Sequence, residues 1–86
     1  MFRKIRGIHL PYCKQGLIYF TCRNYRDIPL DKQEKINNLC MDVAGEYYPA
    51  LRDILITDKS IVRISMDKNL SESTLYRLRR KFYERW

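Results

Sequence analysis

The sequence predicts an all-α domain: a compact bundle of about five short helices that begins with an irregular basic arm and ends in a helix-turn-helix. Three observations predict it. Apolar residues recur at three- and four-residue offsets through residues 36–44 and again through 75–86, which is the spacing of one helix face. Helix punctuation is frequent, with Pro29, Asp31, Gly45, Pro49 and Ser71 standing where those stripes start or stop. The run Ile18-Tyr19-Phe20-Thr21 has strand propensity, but no second strong strand exists to pair with it. A lone strand would leave its backbone donors and acceptors unmatched.

Residues 1–14 read as an arm, with alternation around Ile5 and Ile8 sufficient for one short strand and Gly7 and Pro11 as punctuation. The supporting helices occupy residues 15–56. A first helix is expected over Gly16 to Arg26, where Leu17, Phe20, Tyr25 and Ile28 fit a loose stripe. Pro29 breaks the chain. Asp31 is the expected cap of the second helix, with Glu34 three residues on in the reciprocal capping position. Ile36, Leu39, Cys40, Val43 and Ala44 form its apolar stripe, and Gly45 its stop. The third helix starts near Tyr47 and tolerates Pro49 in its first turn. Tyr48, Leu51, Ile54 and Leu55 share its face. Thr57 to Ser60 supply a polar break, and Ile61, Ile64 and Ser65 mark a fourth helix ending near Lys68. The fifth runs from Glu72 to Arg85, with Leu75, Leu78, Phe82 and Trp86 inward. No internal repeat or linker divides the chain, so residues 1–86 form one domain, with 59–86 as the helix-turn-helix.

Composition narrows the function. Eighty-six residues leave no room for a cofactor domain beside a substrate domain. Apolar residues at 45% and aromatics at 13% are too much core material for a disordered chain. No apolar run approaches the ~20 residues that span a bilayer, so no membrane partner is expected. Met-Phe-Arg-Lys is followed by no apolar stretch, so no secretory signal is visible. The net charge of +7 is unevenly placed. Residues 1–26 hold six bases and no acid, residues 27–58 hold seven acids against three bases, and residues 59–86 hold eight bases against three acids. Two basic ends around an acidic middle suggest a surface that faces a polyanion.

Cys13, Cys22 and Cys40 are odd in number, which argues against a disulfide framework and for a reducing, cytoplasmic setting. With His9 they are four potential ligands, but no C-x-x-C pair is present, so no metal is expected. Cys22 and Cys40 read as small buried hydrophobes. One histidine, no paired carboxylates in an apolar setting and no phosphate-binding glycine loop argue against an enzyme, and no cofactor is expected.

The last twenty-six residues meet the demands of two helices crossing at a tight turn. Ile64 and the small Ser65 suit the crossing, Asn69 tolerates a left-handed backbone, Leu70 plugs the core and Ser71 caps. Lys68 departs from the frame, since that position is often apolar; its stem can cover the core while the ammonium stays in water. Ser71, Glu72, Ser73 and Thr74 then open the last helix as a polar reading end. Arg77, Arg79, Arg80, Lys81 and Arg85 follow as a basic end. Arg77 and Arg80 suit guanine O6 and N7, Glu72 suits cytosine N4, and Tyr76 suits a thymine methyl or a phosphate. Lys59 precedes the fourth helix and Arg63 lies in its first turn, and Arg3, Lys4 and Arg6 give the arm a route along the backbone or into a minor groove.

The segment NLSESTLYRLRRKFYERW resembles the C-terminal helix-turn-helix of small phage and mobile-element transcriptional regulators of the ArpU and RinA type, which are similar to the region-four module of sigma factors. The resemblance covers residues 47–86 and is weak elsewhere. It implies that Ser71, Ser73, Tyr76 and Arg77 face DNA. The expected function is therefore a sequence-specific regulator on double-stranded DNA, reading the major groove with its last helix. A homodimer is expected, because one such unit covers few base pairs, with the acidic helix at 31–45 as the contact. The alternative is a protein-interaction module, such as a phage factor docking on RNA polymerase, with Tyr12, Tyr19, Tyr25, Tyr47, Tyr48 and Trp86 as anchors. RNA binding through the arm and Tyr12 is a third, smaller option.

Overall fold

The computed structural model describes residues 3–86. All regular structure among these residues is helical: α1 (Tyr12–Arg23), α2 (Leu30–Ala44), α3 (Tyr48–Ile56), α4 (Ile61–Lys68) and α5 (Glu72–Arg85). Single 3-10 turns at Tyr25–Asp27 and Gly45–Tyr47 join α1 to α2 and α2 to α3. The chain is an all-α bundle, as its periodicity requires. No helix among the described residues is long and apolar enough to cross a membrane.

Local chemistry explains where each helix begins and ends. Pro11, with φ −58°, starts α1 at Tyr12, so residues 12–14 are helical rather than part of the arm. Asn24 ends α1 at Arg23, three residues before the expected end, and its side-chain amide donates to the Phe20 carbonyl at 2.7 Å. The arm holds no strand over its described residues 3–11; its residues 1 and 2 lie outside the described range. Asp31 is not the cap of α2. Pro29 fills that place with φ −58°, its carbonyl accepting from Lys32 and Gln33 at 3.0 and 3.1 Å, which puts Asp31 inside the first turn. There its charge still complements the peptide dipoles. Gly45 stops α2 with φ 56° and ψ −123°, a conformation open essentially only to glycine.

The core has two parts. The larger gathers Ile8, Ile18, Cys22, Ile36, Cys40 and Ala44 around Leu51, Leu55, Leu78, Phe82 and Tyr83. The smaller holds Ala50, Ile54, Ile64 and Leu75, flanked by Ile61 and Leu70. Helices α3 and α5 contribute to both, so they tie α4 to the rest of the bundle. Burial pushes the Cys22 and Cys40 thiols up to about 12, so both stay neutral and act as apolar filling. Cys13 is exposed. Of the anchor candidates, Tyr25, Tyr48 and Trp86 turn inward against the larger core, while Tyr12 and Tyr47 are exposed.

The join between α4 and α5 follows the sequence closely. Ser60 Oγ accepts from the Arg63 amide at 3.1 Å and caps α4. Asn69 is left-handed, with φ 55° and ψ 46°, and is the one non-glycine residue at positive φ among those described. The Leu70 amide returns to the Ser65 carbonyl at 3.1 Å, and the Ser65 hydroxyl donates to the Leu70 carbonyl. This closure satisfies carbonyls that a helix end would orphan. Ser71 Oγ accepts from the Thr74 amide at 3.2 Å and caps α5. Lys68 reaches across to α3, its ammonium 3.9 Å from Asp53.

Candidate nucleic-acid interface

Three- and four-residue spacing divides α5 into two faces. Leu75, Leu78, Phe82 and Tyr83 are buried. Ser73, Tyr76, Arg77, Arg80 and Lys81 are exposed and follow one another around the opposite side. Arg79 belongs to neither set. It lies four residues after Leu75 and three before Phe82, so it is drawn inward and is not one of the free cations expected of this helix. Its guanidinium lies 5.3 Å from the Tyr76 ring centroid, its Nε is buried without an acceptor, and burial holds its pKa below the ordinary arginine value. Its place in the apolar stripe was the available signal. Tyr83 was missed for a similar reason: it is next to Phe82, one position off the expected stripe.

The arm is fixed beside this helix by a residue that drew no attention in the sequence. Gln15 is fully buried. Its Oε1 accepts from the Ile5 amide at 2.8 Å, and its Nε2 donates to the Ile8 and Leu10 carbonyls at 3.3 and 3.1 Å. Irregular backbone that enters a core must find such partners. Ile8 is buried between these bonds. Gly7 turns with φ 80°, and a β-carbon there would sit 3.9 Å from Arg80 Nη1, so the arm passes directly beside α5. Gln15 precedes Ile18 and Cys22 by three and seven residues, and that polar member of an apolar stripe was its one sequence signal.

Replacing Gln15 with leucine removes one partner from three backbone groups. We expect a loss of about 1–3 kcal/mol in urea unfolding, with early loss of amide protection at Ile5. Retained protection at Ile5 together with unchanged stability would show that Ile8 alone holds the arm.

The docked arm builds a cleft of about 380 Å3 with the last helix. Arg6 from the arm and Ser73, Tyr76, Arg77 and Arg80 from α5 line it, completed by Ile5 and Arg79. No lining residue is acidic. The arm flanks the guanidinium side of α5 without covering it, since Arg77 and Arg80 remain exposed. Four of the anticipated α5 residues and one from the arm thus converge. Others stand apart. Ser71 has its hydroxyl committed to Thr74, and Glu72 is exposed in the first turn of α5. Arg63 points along α4 to within 3.8 Å of Asp67. Arg3 and Lys59 line a different cleft. Lys4 and Lys81 are exposed. No group of three or more metal-ligating side chains gathers among the described residues.

Comparison of the chain with protein-family models, with curated proteins and with solved structures gives no match.

Proposed function

We propose that the protein binds double-stranded DNA in a sequence-specific manner and regulates transcription in the way of small phage and mobile-element regulators, with α5 in the major groove. The observation that carries this reading is the convergence of Arg6, Ser73, Tyr76, Arg77 and Arg80 on one exposed, acid-free cleft. The α4–Asn69–α5 unit supports it as a helix-turn-helix frame: Ile64 and Leu75 are buried at the crossing, and Ser71 caps the helix that is presented. Planar guanidinium groups with short polar neighbours suit base edges, and the remaining cations suit phosphates.

The test is selection of bound duplexes from a random pool, followed by substitution. Arg77→Ala and Arg80→Ala are each expected to cost about 1–3 kcal/mol in specific binding and to relax preference at one base position. Lys81→Ala is expected to weaken all duplexes about equally. Absence of duplex binding at low salt, beside a protein partner that survives nuclease treatment, overturns the proposal in favour of a docking module.

A further inference from the structure

A second cleft, of about 390 Å3, opens on the other side of the wall that Ile5 and Arg79 share with the first. Its lining combines two chemistries. Arg3, Arg23, Lys59 and Arg79 bring four cations against the single carboxylate of Asp58. Ile54, Leu55 and Ile61 supply apolar surface beside them. The volume falls within the range of small-molecule sites, ~300–1,000 Å3, where apolar walls and a few charged groups are the usual make-up.

The charged part carries signs of an anion site. Arg23 is held from two sides, by its ion pair with Asp58 and by its stacking 4.9 Å from the Tyr19 ring centroid. Ser60 and Ile61 place the first turn of α4 in the lining, and the peptide dipoles of a helix start favour negative charge. Asp58 is almost fully exposed, with 97% of its side-chain surface accessible, so it can leave Arg23 at little cost. A phosphate on the DNA backbone would need the cations alone. The apolar wall adds a reason for an attached organic body.

We propose that this cleft binds a small organic phosphate, with the phosphate among Arg23, Arg79, Lys59 and Arg3 and the organic part against Ile54, Leu55 and Ile61. The proposal does not depend on DNA binding, because the ligand is read without a duplex.

Adenosine monophosphate is the probe, titrated into isotope-labelled protein at physiological salt and followed by amide shifts. Saturable shifts at Arg23, Lys59, Ile61 and Arg79 are expected, with inorganic phosphate and adenosine each at least about tenfold weaker. Arg23→Gln is expected to weaken the nucleotide about tenfold and leave duplex affinity unchanged. Asp58→Asn removes the competing carboxylate from an exposed position and is expected to tighten the nucleotide about twofold to fivefold, a gain that damage to the fold would not produce. Non-saturating shifts, or shifts centred on Ser73, Tyr76 and Arg77, overturn the proposal. Equal binding of inorganic phosphate and the nucleotide, or an Arg23→Gln variant that loses duplex affinity in parallel, assigns the cleft to a backbone phosphate and overturns the free ligand.

Discussion

Phe82→Ala is expected to remove about 3–5 kcal/mol of stability, the range for truncating a buried aromatic residue. Phe82 is fully buried in the larger core cluster, and its ring centroid lies 5.7 Å from that of Trp86 and 6.3 Å from that of Tyr83. That cluster includes residues from the arm, α1, α2 and α3, so collapse around the cavity would have to move several elements together. A chain of 86 residues has a total stability of roughly 4–13 kcal/mol at ordinary values per residue. The substitution therefore uses up a large share of it, and the thermal midpoint is expected to fall by at least about 12 °C. Urea unfolding of the two proteins checks the figure. A loss below about 1 kcal/mol would mean that Phe82 is not the centre on which the helices close.

Duplex affinity is expected to fall about fortyfold between 50 and 200 mM salt. The reason is counterion release: each phosphate neutralised by a cation frees condensed ions, and the logarithm of affinity then falls linearly with the logarithm of salt. Arg77 and Arg80 are assigned to base edges, which leaves Lys4, Arg6 and Lys81, all exposed on the arm and α5, for phosphates. Three such contacts correspond to a slope of about −3. Arg6→Ala is expected to reduce that slope by about one while weakening all sequences alike, because a phosphate contact carries no base information. Fluorescence anisotropy across a salt series measures both quantities. A slope shallower than about −1 would remove the phosphate-gripping role of this face.

The segments that sequence reading placed correctly are those governed by neighbours a few residues away. Ser60, Asn69 and Ser71 act on groups within one turn of themselves, and the bounds of α4 and α5 follow from them. The stripe through Ile36, Cys40 and Ala44 is equally local. Errors cluster where distant partners decide. The arm read as irregular with room for one short strand, and the partner that fixes its backbone, Gln15, comes from the next helix. One error is local: Asp31 matched a capping pattern, but Pro29, two residues before it, had already started the helix. The convergence of Arg6 with Arg77 and Arg80 joins opposite ends of the chain, and no spacing rule reaches that far.

The split core has a mechanical consequence. Ile64 is the only fully buried residue of α4, and it rests in the smaller cluster. Helices of this kind come loose at a lower free energy than the rest of a domain. The segment carrying Ser60 to Asn69 is thus the bundle's soft seam. It can rock on Ile64 while Phe82, and with it α5, stays locked, so the bundle yields at α4 before the last helix moves.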